Sequence, residues 1–312
     1  MGKPCTIAAD TASDSIKERV RALRRQTKAA RRQDADGIHD LRVASRRVRV
    51  ALKEAAPVFG RHEATRFEER VREVTRLLGK ARELDVSLEL LERRRKKLRG
   101  PPRYAATHTI HHMRALRKAA APDVGAAAGL VESPAFDESL LGLFESLTTT
   151  KTCYLDRGAR SILKQFRRLR LSHEEWRSSQ SEEDLHAIRI RFKKLRYACE
   201  VYGAAFGPPM KTFIRRLKQS QEVLGQWNDY RVLRDYVLEA AVSAPPRAAE
   251  GFPQLRELLE RDIAELLDAF PDVANGFFSN SGGREVAALF AKPRIECPRC
   301  RYTPPEAPGN GK

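Results

Sequence analysis

Residues 38–60 read IHDLRVASRRVRVALKEAAPVFG, and residues 185–207 read LHAIRIRFKKLRYACEVYGAAFG. Aligned on His39 and His186, which are 147 residues apart, six positions are identical, including the His, two Arg and the closing Phe-Gly. Six more exchange Ile, Leu and Val or Arg and Lys. The match resumes downstream. Residues 67–79 read FEERVREVTRLLG and residues 213–225 read FIRRLKQSQEVLG, at an offset of 146. A polar pair follows each Leu-Gly, Arg82-Glu83 in one copy and Asn228-Asp229 in the other, and a further helical pattern begins there. Self-similarity of this kind marks a duplicated structural unit. Each half is expected to run helix, break, helix, break, helix.

Within the first copy Ile38, Leu41, Ser45, Val48, Leu52, Ala55 and Phe59 recur at alternating steps of three and four. The second copy gives Leu185, Ile188, Phe192, Leu195, Cys199, Tyr202 and Phe206 at the same steps. That spacing is the buried seam of an amphipathic helix. One position on from the seam runs a basic stripe: His39, Arg42, Arg46 and Arg49, repeated as His186, Arg189, Lys193 and Arg196. Arg47 and Lys194 widen it. One step is ~100° around the helix, so the stripe borders the core, and it extends ~15 Å along the axis. Like charges at this spacing repel by ~0.2–0.5 kcal/mol per pair. The duplication of such a stripe, with a His at the same end of both copies, points to a ligand-facing surface. Arg pairs bidentately with phosphate oxygens and Lys adds point charge, so a chain of phosphates fits. Weaker candidates for the same ligand are Arg21, Arg25 and Lys28 near the start, Arg160, Lys164 and Arg167 opening the second half, and the matching pair Arg72 and Lys218.

Composition agrees. Among 312 residues, Lys and Arg number 59 against 41 Asp and Glu, a formal charge of +18, and 41% are hydrophobic. That is enough apolar material for a core, and a field that draws polyanions. The Ala-rich stretch 119–131 is broken by Pro122, Asp123 and two glycines and is too short and interrupted to cross a bilayer. No secretory pattern opens the chain. Five scattered cysteines make no disulfide framework, so a cytoplasmic location is expected.

The remaining pattern predicts an all-α fold. Residues 1–13 read as a flexible start and residues 14–274 as the helical domain, with halves at about 14–134 and 135–274. Residues 122–134 read as a linker, 172–181 as a polar connection, and 252–270 as the last helix. Residues 275–312, rich in Gly, Ser and Pro, read as a flexible tail.

The paired His-and-Arg helices with their Leu-Gly segments resemble the CHAD family, named for a conserved histidine in an α-helical domain. The resemblance covers roughly residues 14–270. It implies two four-helix bundles related by a pseudo-two-fold axis around a basic pore or groove. It also implies binding of inorganic polyphosphate and residence on polyphosphate granules. The site it implies is His39, Arg42, Arg46, Arg47 and Arg49 with His186, Arg189, Lys193, Lys194 and Arg196. Glu83 stands where that family shows Asp, and Arg82 and Glu83 are assigned a structural role. No Glu-x-Glu-x-Lys strand of a fused triphosphate-processing domain is present.

Other constellations carry less. His108, His111 and His112 share a helix face but lack a further ligand type nearby, so they are read as solvated and no metal is assigned. Cys297 and Cys300 form a lone pair, short of the four ligands of a structural zinc site. Cys5 and Cys153 are scattered, and Cys199 sits on the seam. No Gly-rich phosphate loop or nucleophile arrangement is visible, so no enzymatic activity and no cofactor are expected. The competing partner is nucleic acid, whose phosphates draw the same cations; a polyphosphate-processing enzyme would want a metal-binding carboxylate cluster.

Overall fold

The computed structural model describes residues 6–148, 153–294 and 302–305, and all regular structure among them is helical. The first helices are α1 (Thr6–Arg31), α2 (Ala35–Ala55), α3 (Arg61–Leu77), α4 (Gly79–Arg95) and α5 (Gly100–Ala119). Then come α6 (Ala121–Glu132), α7 (Pro134–Glu145), α8 (Tyr154–Ser179), α9 (Glu182–Phe206) and α10 (Pro208–Ala241). The chain continues with α11 (Pro246–Ala249), α12 (Phe252–Phe278) and α13 (Asn280–Ala288).

The repeated helices are α2 and α9, and they touch each other. Every seam residue named from the sequence is buried in both. Full burial of each Leu, Ile, Val or Phe stabilises by ~1.5–3 kcal/mol. Both helices start the same way. Asp34 accepts from the Gly37 amide at 2.8 Å, and Ser181 accepts from the Asp184 amide at 3.1 Å. Such caps satisfy amides that have no partner within the helix. They fix where each helix begins, and therefore where His39 and His186 sit.

One apolar cluster runs through both halves, from Ile16, Leu41 and Phe67 to Phe166, Phe192, Phe213 and Phe277. A second joins α4 and α5 to the later part of α10 and the start of α12, through Leu84, Leu91, Ile110, Leu233, Tyr236 and Leu255. The halves are thus welded through α2 against α9 and α4 against α10. Close approach of the start of α12 to α5 needs glycine. A Cβ on Gly251 would overlap the Pro101 carbonyl oxygen.

Several boundaries differ from the sequence expectations. Residues 122–132 are helix, not linker. Pro122 sits in the first turn of α6, where no amide partner is required. Val124, Ala127, Ala128 and Val131 face the core, while Gly125 and Gly129 face open space. Helix α7 packs on α3. The polar stretch 172–179 continues α8, which ends only at Gln180 in left-handed geometry (φ 52°). Leu78 interrupts the first copy between α3 and α4, whereas α10 passes through Gly225 unbroken. Helix α1 already begins at Thr6, within the stretch expected to be loose. At the other end, α12 runs through Pro271, α13 follows, and Phe277, Val286, Leu289 and Phe290 are buried. Tyr302 donates to the Phe290 carbonyl at 3.1 Å. Cys5, Cys297 and Cys300 lie outside the described residues.

A candidate polyanion site between the repeated helices

A polar cavity of about 290 Å³ opens where α2 and α9 meet α4 and α10. Its wall holds four guanidinium groups, Arg42, Arg46, Arg82 and Arg189, and the amine of Lys193. His39 and Asn228 add hydrogen-bonding groups, and Glu83 and Asp229 are the lining carboxylates. The Leu-Gly segments explain how this wall is built. Leu78 and Leu224 are buried in the core, and the next residues, Gly79 and Gly225, form cavity wall. Gly79 lies beside Arg42, whose Nη1 would be in ordinary van der Waals contact, at 3.7 Å, with a Cβ placed there.

The cations are crowded and partly dehydrated. Burial, then the neighbouring Arg46, lowers Arg42 to about 10. Burial, then Arg189 and Arg46, lowers Lys193 to about 7. Arg189 is also lowered, first by burial, with Asp229 opposing. Burial lowers His39, with Arg82 adding to the effect, and lowers His186, with Arg189 adding. The buried Nε atoms of Arg46 and Arg189 have no hydrogen-bond partner among the described residues. Burial raises the Asp229 carboxyl against the pull of Arg189 and Lys193. An arrangement that disfavours charge at so many adjacent basic groups is relieved by an anion placed among them.

Of the stripe residues, His39, Arg42, Arg46, Arg189 and Lys193 come together in the wall. His186 stands behind it, with Nδ1 3.1 Å from Asn228 Oδ1. The far ends of the stripes turn away to carboxylates. Arg49 Nε donates to Glu68 at 2.7 Å, and Arg196 lies 3.5 Å from Glu200. Arg47 and Lys194 are exposed outside the cavity, Arg47 at 3.9 Å from the same Glu200. Arg21, Arg25 and Lys28 are exposed on α1, Arg160, Lys164 and Arg167 on α8, and Lys218 on α10, while Arg72 pairs with Glu68.

Sequence reasoning left Arg82, Glu83, Asn228 and Asp229 out of the site. Glu83 does have a structural part, since it accepts from the Tyr236 hydroxyl at 2.6 Å across the α4–α10 contact. All four nevertheless line the cavity, and the signal was their shared place after each Leu-Gly. The three histidines of α5 diverge: His108 meets Phe252 edge-on, and His112 Nε2 lies 3.1 Å from Glu239.

An all-helical domain that gathers basic groups from two repeated helices into one cavity defines the class. Residues 14–238 match the CHAD domain family, and the chain belongs to it. The chain resembles the crystal structure of the CHAD domain from the plant Ricinus communis, with a TM-score of 0.65 at 21% identity, over 87% of this chain and 91% of that one. It also resembles PptA from Streptomyces chartreusis, with a TM-score of 0.63 at 14% identity, over 88% and 100% of the two chains. Uncharacterised proteins of two Mycobacterium tuberculosis strains, CDC 1551 / Oshkosh and H37Rv, are each 26% identical over 273 residues. That match covers 82% of this chain and 51% of each relative, so the chain spans about half their length.

Proposed function

We propose that this domain binds inorganic polyphosphate, without turnover, in the cavity between the repeated helices, and that binding targets it to polyphosphate granules. The two halves then act as paired helical bundles flanking a basic passage. The observation that carries this reading is the convergence of Arg42, Arg46, Arg82, Arg189 and Lys193 on one wall that holds only two carboxylates. Phosphate oxygens at short, regular intervals satisfy the guanidinium groups and stabilise the cationic forms that burial and crowding disfavour. The test is equilibrium binding of long-chain polyphosphate to the Arg42→Glu/Arg189→Glu double variant. The affinity is expected to fall at least about a hundredfold, since two charge-assisted contacts of ~1.5–3 kcal/mol each are lost, with helicity intact. Unchanged affinity would place the site elsewhere.

A second reading, nucleic-acid binding, is favoured by one feature. Beside a cavity of about 640 Å³, His173 stacks on Phe278 with ring centroids 3.6 Å apart, and Arg170, Arg177 and Trp176 line the same space. Aromatic faces beside cations suit single-stranded bases.

A further inference from the structure

On the flank of the molecule, α2 and α8 enclose a groove of about 440 Å³. Lys53 projects from the end of α2, and Arg157, Arg160 and Lys164 come from α8. The α8 cations stand at steps of three and four, so they share one helix face. Glu54 is the carboxylate of the groove, and it is already engaged by the Tyr202 hydroxyl at 3.2 Å. Several arginines elsewhere are paired: Arg24 with Asp137, Arg94 with Asp262, Arg117 with Asp85, Arg216 with Glu285 and Arg234 with Glu182. Among the described residues, none of Lys53, Arg157, Arg160 and Lys164 has an acidic partner within 4.0 Å.

The groove is continuous in charge with the cavity. Lys53 is seven residues beyond Arg46 on the same face of α2, or ~10 Å along the axis. On α9, Lys193 lines the cavity, and its neighbour Lys194 is exposed to the field of Lys53, Arg168 and Arg191. Consecutive residues of α9 thus face two ways: Lys193 the cavity, and Lys194 the exposed side near Lys53.

We propose that the flank groove is a second anion subsite, filled by the part of a phosphate polymer that emerges from the cavity, and that it makes the domain selective for long chains. The inference rests on the cavity reading. A short oligophosphate occupies the cavity alone. A long chain passes Lys194, reaches Lys53, and continues along Arg157, Arg160 and Lys164. The groove therefore adds affinity only for polymers long enough to span both sites, as any tethered second contact does.

The test compares tripolyphosphate with long-chain polyphosphate on the wild type and on a Lys53→Ala/Arg160→Ala/Lys164→Ala variant, by calorimetry at several salt concentrations. All three residues are solvated on helix surfaces, and the tripolyphosphate arm itself reports an intact fold. The variant is expected to keep its tripolyphosphate affinity within about two-fold while losing roughly ten-fold or more for the long chain. Its log–log salt slope for the long chain should flatten by about 2, the counterions released by three cations on a flexible polyanion. Unchanged long-chain affinity would overturn the second subsite, and so would an equal loss for both ligands. If the wild type binds neither polymer, the cavity reading itself fails, and the groove proposal fails with it.

Discussion

Arg42 Nη1 donates to the carbonyl oxygen of Thr75 at 2.5 Å, so a residue of the cavity wall also closes the end of a neighbouring helix. Thr75 lies in the last turn of α3, where carbonyls lack partners within the helix. The Ser45 and Thr75 hydroxyls meet at 2.8 Å beneath the same contact. Arg189, at the matching place in the second copy, makes no such bond among the described residues, and α10 needs no cap because it does not stop. Arg42→Met is therefore expected to lower stability by about 1 kcal/mol more than Arg189→Met, while both weaken polyphosphate binding. Chemical denaturation of the two variants reads this asymmetry, and equal losses would contradict it.

Lys193 predicts a pH dependence. Its ordinary value of 10.5 is lowered to about 7 in the fold. Between those values the unfolded chain holds more protons than the native one, so stability rises with pH across that window. Lys193→Met should flatten the rise. A polyanion favours the ammonium form, so binding should take up protons near and above pH 7, and affinity should fall as pH climbs. Calorimetry in two buffers of different ionisation enthalpy measures the proton count.

The two stripe histidines give a spectroscopic reading. Burial, then the adjacent arginines, lowers His39 and His186 from the ordinary imidazole value, which favours the neutral rings in the free protein. Their depressed values make stability rise with pH as each folded ring loses its proton, up to about 6.5. Ring resonances followed by NMR should titrate below 6.5 without ligand and shift upward with polyphosphate. Rings unmoved by saturating ligand would show that the anion does not reach them.

Tyr236 tests the weld between halves apart from binding. Its hydroxyl accepts from Lys80 Nζ at 2.6 Å and donates to Glu83 at 2.6 Å. Tyr236→Phe is expected to cost ~1–2 kcal/mol, the scale of a charge-assisted bond lost from a half-buried network. Denaturant midpoints read the loss directly, and polyphosphate affinity should change by less than about three-fold, because the hydroxyl does not line the cavity.

The seam was fully legible because burial follows helical period, and all fourteen seam positions are buried. The basic stripe was legible only in part. Its period placed Arg42, Arg46, Arg189 and Lys193 on one face, but not the carboxylates that neutralise its far ends. Glu68 comes from α3, which the period of α2 does not reveal. Glu200 was visible four residues beyond Arg196 and belonged in the reading. The contribution of α4 and α10 to the wall was hidden for a different reason. Arg82, Asn228 and Asp229 become neighbours of the stripe only through the packing of α4 on α2 and of α10 on α9. The stretch 122–132 misled because proline and glycine punctuate loops, yet here they occupy the first turn and the open face of α6.

The most direct measurement is competition at physiological salt. Labelled long-chain polyphosphate is bound to the protein and challenged with equal phosphate equivalents of single-stranded DNA, double-stranded DNA and RNA. The account predicts that polyphosphate resists displacement by all three, because the crowded cavity wall matches closely spaced phosphates without bases. Ready displacement by any of the nucleic acids would contradict a site shaped for polyphosphate and would mark the domain as a general polyanion binder.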